Sequence, residues 1–314
     1  WANTYDTADP QFAGLYGAPH NLEGPLAADG FFNQDPPSRQ FLERWRSKID
    51  EVVDKYAPDL LWFDFGLRGV PERCKQEMLA HYYNQAQAWG KEVVVTYKDY
   101  DLPPGCGVVD LELGRMNELT YHEWITDSTV DDGEAWGYIQ EAGYKTPQML
   151  VHYLVDNVSK NGHLLLNVGP KADGTLPEPA KDILRGMGEW LALNGEAIYG
   201  TTPWISYGEG PTRIGKSGAF NEKDVPIFSG KDVRYTCKEN LLYAICLGWP
   251  GERVKLESLK SFTPQEIRSV RLLGSDPELA WRLEGDGLVI FPPPQPKPSP
   301  AYTFRIERGH PFPD

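Results

Sequence analysis

The sequence is short of the residues that build metal and redox sites. It has four cysteines (Cys74, Cys106, Cys237 and Cys246) and six histidines in 314 residues. None of the cysteines is in C-x-x-C spacing, so zinc-ribbon and thioredoxin-like sites are unsupported, and neither a metal nor a cofactor is expected. Cys237 and Cys246 can share a hairpin, bridged or as buried free thiols. No apolar run approaches the ~20 residues that span a bilayer. There is no phosphate-loop glycine pattern and no basic patch. Lys and Arg number 31 against 45 Asp and Glu, a net charge of −14. That balance excludes nucleic acid and an anionic membrane as natural partners. The chain starts at Trp1 without a signal peptide, so its start reads as processed or cut and the compartment is not legible there. What it has in quantity is aromatic surface, with 10 Trp and 16 Tyr, useful both in cores and against flat amphipathic ligands such as sugars.

The stretch Pro58-Asp59-Leu60-Leu61-Trp62-Phe63-Asp64-Phe65-Gly66 organises the rest. Its continuous apolar run, 60–63, predicts a strand buried on both faces of a parallel sheet. A helix capped by Ser38 precedes it, with Phe41, Leu42, Trp45, Ile49, Val52 and Val53 at helical spacing. A second helix is expected over 71–89, stopped by Gly90. Short β-branched segments at 93–97 and 107–112 predict two more strands, one followed by Lys98 and the other ending in Glu112. Residues 113–145 read as a long acidic and aromatic loop, with Trp136-Gly137-Tyr138 a candidate short strand. Thr146-Pro147 opens a helix that Asn161-Gly162 closes. A strand at 163–168 and a helix at 178–194 follow. This alternation is the grammar of a parallel α/β fold. After residue 202 the pattern changes to short strands without helical period, which predicts an antiparallel β-sandwich. The expected domains are therefore 1–202 and 203–314.

Asp64 ends one predicted parallel strand and Glu112 another, which puts both carboxylates at the same end of the sheet. In a β/α barrel that end carries the catalytic groups. Two facing carboxylates are what glycoside hydrolysis needs, one as nucleophile or base and one as proton donor. With 45 acidic residues in the chain, spacing alone is a weak signal. The acidic run Asp131-Asp132-Gly133-Glu134 reads as solvated loop. His81 and His152 fall on helices as structural residues, while His122 is left open. Asn157-Val158-Ser159 fits a glycosylation sequon but lies inside a predicted helix.

Several motifs together resemble the family 29 glycoside hydrolases, the retaining α-L-fucosidases. They are Leu60-Leu61-Trp62-Phe63-Asp64, Trp136-Gly137-Tyr138, Asn161-Gly162-His163-Leu164-Leu165-Leu166-Asn167-Val168-Gly169-Pro170 with Asp173-Gly174-Thr175, and Asn194-Gly195-Glu196-Ala197-Ile198-Tyr199-Gly200-Thr201. The resemblance implies a (β/α)8-type barrel followed by a C-terminal β-sandwich. It implies hydrolysis of terminal α-L-fucosides with retention, Asp64 as nucleophile and Glu112 as acid/base, with Glu118, Glu123 and Glu134 as competitors for the second role. It also implies that Trp62 lines the sugar pocket, that Trp136 faces the apolar side of fucose, and that Lys98 stands where the family often has arginine.

The family carries further strands ahead of its nucleophile strand, with histidines that hold sugar hydroxyls. Here about 200 residues remain for a barrel that usually takes roughly 250, so the barrel is expected to be partial. An open strand edge seeks a partner, which predicts self-association or an N-terminal partner segment covering it. The resemblance implies a fucosylated glycan as substrate and a secreted or periplasmic setting. The alternative is an inactive or partner-dependent fucosidase-like glycan-binding protein.

Overall fold

The computed structural model describes residues 37–133, 135–223, 227–294 and 296–310. Glu134, one competitor for the acid/base role, lies outside the described residues. The chain divides into two compact units, Trp1–Val108 and Val109–Asp314.

The first unit is built from α1 (Arg39–Tyr56), β1 (Leu60–Trp62), α2 (Glu72–Trp89) and β2 (Val94–Lys98). Ser38 caps α1 by accepting from the Phe41 N–H at 3.1 Å, which satisfies one orphan donor of the first turn. Gly90, at φ 65°, ends α2. β1 and β2 run parallel, with Leu60 opposite Val94 and Trp62 opposite Thr96. The strand forms where the apolar run predicts it, but it is not buried on both faces. Leu60 and Trp62 remain 44% and 40% exposed. The reason is neighbourhood: among the described residues β1 pairs only with β2, and an edge strand keeps one side open.

β3 (Val108–Asp110), which begins at the division, runs parallel with β4 (Trp124–Thr129) and β5 (Gly162–Asn167) of the second unit. α3 (Pro147–Ser159) and α4 (Glu178–Asn194) accompany them. β4 lies inside the expected 113–145 loop. Its core, Thr126-Asp127-Ser128-Thr129, is polar yet buried, so the hydrophobic pattern that marks most buried strands is absent. Trp136-Gly137-Tyr138 is not a strand but a bend. The backbone of Gly137 and Tyr138 presses on Gly169, where an added Cβ would sit 2.7 Å from the Gly137 carbonyl carbon.

The remaining strands are β6 (Thr202–Glu209), β7 (Val233–Lys238), β8 (Leu241–Cys246), β9 (Val254–Leu256), β10 (Ile267–Leu272), β11 (Ala280–Glu284), β12 (Gly287–Phe291) and β13 (Tyr302–Arg308). They form two antiparallel sheets, ordered β10-β13-β8-β7-β6 and β11-β12-β9, as the sandwich reading expects. β8 shows why the 241–247 run is apolar throughout. Leu242, Ala244 and Cys246 face the core between the strands. Tyr243, Ile245 and Leu247 face a second core with Leu150, Val151, Val155, Ile183 and Trp190 of the helices. Burial on both faces removes the usual polar alternation, and each buried aliphatic side chain contributes about 1.5–3 kcal/mol. Cys237 and Cys246 do share the β7–β8 hairpin, but opposite Leu242 and Val233 respectively. They are free thiols, and burial pushes the Cys246 thiol well up from its usual range. Asn157 of the sequon is fully buried in α3, out of reach of a glycosyl transferase.

Candidate active site

Asp64 lies two residues past the end of β1, and its carboxylate accepts from the Phe65 N–H at 2.9 Å. The Phe63 N–H still donates to the Thr96 carbonyl at 3.0 Å, so the ladder continues past the strand. Extending the register of Leu60 with Val94 and Trp62 with Thr96 sets Asp64 opposite Lys98. The chain then turns at Gly66, whose φ of 121° suits glycine alone. The Lys98 ammonium lies 5.3 Å from the Trp62 ring and 5.5 Å from the Phe65 ring, a cation held between aromatic faces. Asp64 is exposed on a cleft of about 470 Å³ whose walls include Phe41, Trp45, Trp62 and Phe65. Three of the sequence-predicted residues, Trp62, Asp64 and Lys98, thus come together in the first unit.

Glu112 and Trp136 belong to the second unit. Glu112 follows the C-terminal end of β3 and is half-buried. Trp136 sits at the same end of this sheet. Its carbonyl accepts from Asn167 Nδ2 at 3.0 Å, and that amide also donates to Thr129 Oγ1 at 3.2 Å. Asn167 and Thr129 are the last residues of β5 and β4. Glu123 and His122 immediately precede β4, at the opposite end of the parallel strands, and Glu123 faces His163 there. That end is remote from where β/α proteins place their chemistry. Glu118 is exposed on the crossover between β3 and β4.

The sequence reading passed over two buried features of the second unit. Asp110 and Asp127, at the ends of β3 and within β4, are buried side by side, and the Asp127 N–H donates to Asp110 Oδ1 at 3.3 Å. The other is an ion cluster. Asp156 of α3, fully buried, accepts from Arg234 Nε of β7 at 2.7 Å and from Lys160 Nζ at 2.8 Å. Arg115 Nη1 stands 3.9 Å away. Lys160 also donates to the Met116 carbonyl at 3.1 Å. The signal available in the sequence is the i, i+4 spacing of Asp156 and Lys160, the latter at the C-cap of α3.

Cations outnumber carboxylates in this cluster. Burial alone would raise the Asp156 carboxyl, but Arg234, Lys160 and Arg115 outweigh it and hold the group below its ordinary range. Burial pushes the Lys160 ammonium down from 10.5 to about 8, and the nearby arginines add to that against the pull of Asp156. A lysine with a folded pKa below its unfolded value weakens the fold at neutral pH. That penalty is relieved as pH rises from about 8 towards 10.5. The stability difference between wild type and Lys160→Met should therefore shift towards wild type by about 2–3 kcal/mol between pH 7 and 10. Urea unfolding at both pH values measures it, and a difference that stays flat refutes it.

The sequence matches the family model described as Alpha-L-fucosidase over residues 8–196. It matches the Alpha-L-fucosidase C-terminal domain over residues 228–307. It is 35% identical to the human plasma alpha-L-fucosidase over 272 residues, covering 80% of this chain and 52% of that protein. Against the tissue alpha-L-fucosidase of Rattus norvegicus it is 30% identical over 269 residues, 83% of this chain and 52% of the relative. The chain spans about half the length of the curated relatives it matches. Among solved structures it resembles Thermotoga maritima alpha-fucosidase in complex with fucose. The TM-score is 0.66 at 29% identity, covering 86% of this chain and 57% of that one. The parallel strands with their helices and the antiparallel sheets that follow them are in keeping with that likeness, and the chain belongs to the alpha-L-fucosidase family.

Proposed function

We propose that this protein hydrolyses terminal α-L-fucosides with retention of configuration. The observation that carries the reading is the position of Asp64. It is a carboxylate at the C-terminal end of a parallel strand, on the open cleft, beside Trp62 and opposite Lys98. Asp64 attacks the anomeric carbon as the aglycone leaves, forming a glycosyl ester. Glu112 gives its proton to the departing oxygen. It then takes one from the water that opens the ester, and two inversions give net retention. The aromatic face of Trp62 packs on the sugar, and Trp136 is assigned to the apolar side of fucose by the family resemblance. The Lys98 ammonium supports the negative charge of Asp64 or a substrate hydroxyl as a point charge, without the fork of an arginine.

The relatives' names support a fucosylated glycan as substrate, and the plasma relative supports an extracytoplasmic setting. Among the described residues no helix is long and apolar enough to cross a membrane. The exposed edge strand β1 supports a covering partner, either a segment N-terminal to it or a second copy.

Proton NMR of the reaction with an aryl α-L-fucoside tests the reading. α-L-Fucose should appear first and mutarotate afterwards. The β-anomer appearing first would indicate inversion, and no turnover by the intact protein would favour the glycan-binding alternative.

A further inference from the structure

The segment that carries Glu112 is clasped by residues about a hundred positions later in the chain. The Phe220 N–H donates to the Glu112 carbonyl at 2.7 Å, and the Asn221 and Glu222 N–H groups donate to the Leu113 carbonyl at 3.0 and 2.8 Å. Arg115 and Gly218 exchange both backbone hydrogen bonds, at 3.1 and 2.9 Å. The Asn117 N–H donates to Ser217 Oγ at 2.9 Å. Contact is made on bare backbone: a Cβ on Gly114 would stand 2.3 Å from the Gly218 carbonyl oxygen. Leu113 is held at φ 46°, a conformation that a leucine adopts only when its surroundings impose it.

Glu222 anchors this strap. Its carboxylate lies 2.6 Å from Lys145 Nζ and accepts from Ser128 Oγ at 2.8 Å. Lys145 also donates to Ser128 Oγ at 3.0 Å and to the Thr129 carbonyl at 2.8 Å. The Glu222 carbonyl accepts from Arg115 Nη2 at 2.9 Å. One residue therefore joins the Glu112 segment, the C-terminal end of β4 and the approach to α3. Its side chain is 8% exposed and committed to two partners, which makes it an anchor rather than an acid working on substrate.

We infer that Glu222 is a positioning residue for Glu112, fixing through the 217–222 strap where the acid/base carboxylate stands. The inference rests on the hydrolase reading above. A misplacement of about 1 Å in a catalytic group costs on the order of 10²-fold in rate. Proton donation matters only when the leaving oxygen needs a proton, and a rate profile over leaving groups exposes it.

The test compares Glu222→Gln with wild type on an alkyl α-L-fucoside and on α-L-fucosyl fluoride, through kcat/KM for the bond-breaking step. The alkyl substrate should lose about 10²-fold, while the fluoride, which departs without proton donation, stays within about 3-fold. Glu222→Asp, which keeps the charge, should recover part of the loss. Equal losses on both substrates in a folded variant, or no loss on either, overturn the inference. Should Glu222→Gln fail to fold, Glu222→Asp is judged by the same ratio. A wild type inactive on both substrates refutes the hydrolase reading instead. The clasp is then read by hydrogen exchange at the Phe220, Asn221 and Glu222 amides. Glu222→Gln should speed exchange there by about 10-fold or more if the carboxylate anchors the strap, and unchanged exchange overturns it.

Discussion

Asp64→Ala should lower kcat on an aryl α-L-fucoside by about 10⁴-fold or more, because it removes the group that forms the covalent intermediate. The fold should survive. Asp64 is exposed, and its carboxylate accepts from its neighbour's backbone N–H, so the substitution opens no cavity, and the buried Lys98 ammonium keeps its place against the Trp62 and Phe65 rings. The unfolding midpoint is therefore expected to stay near that of wild type while turnover disappears. Added azide separates this role from a binding role. It can enter the space vacated by the carboxylate, attack the same face of the sugar and release β-fucosyl azide, restoring part of the rate. Retained activity in Asp64→Ala, or azide without effect on rate or product, would move the nucleophile elsewhere.

The largest stability effect is expected at Asp156. Asp156→Ala leaves Lys160 and Arg234 buried without the carboxylate that both contact at 2.8 and 2.7 Å. Removing one partner of a buried ion pair costs about 3–5 kcal/mol, mostly from the charge left behind. Urea unfolding should show this, and the double variant Asp156→Leu with Arg234→Met should lose less than the two single losses summed. A cost below about 1 kcal/mol would mean that water or rearrangement satisfies the cations, against their burial. The consequence reaches the site, since Lys160 and Arg115 border the segment that follows Glu112.

Local chemistry was legible in the sequence. Ser38 and Thr146 cap the helices they were expected to cap. Gly90 ends α2 at a positive φ, and the short apolar runs after residue 230 became strands. Trp62 and Lys98 were legible beside Asp64 through the family motifs, and the structure brings the three together because parallel register carries strand ends to the same edge. β4 was not, because a strand buried through Thr126, Asp127, Ser128 and Thr129 satisfies its polar side chains by hydrogen bonds and shows no apolar run. Nor was the exposure of β1, which depends on what lies beside the strand rather than on its own residues.

The sequence by itself determined the capped helices, the apolar strands, the family and the carboxylate that follows β1, since periodicity, caps and contiguous motifs are local. Tertiary structure alone decided which charges are buried and against what. Asp156 meets Arg234 78 positions later, and Glu222 meets Ser128 94 positions earlier. Hydrogen bonds and desolvation act through space, and a pair so far apart along the chain leaves no period or motif in one sequence.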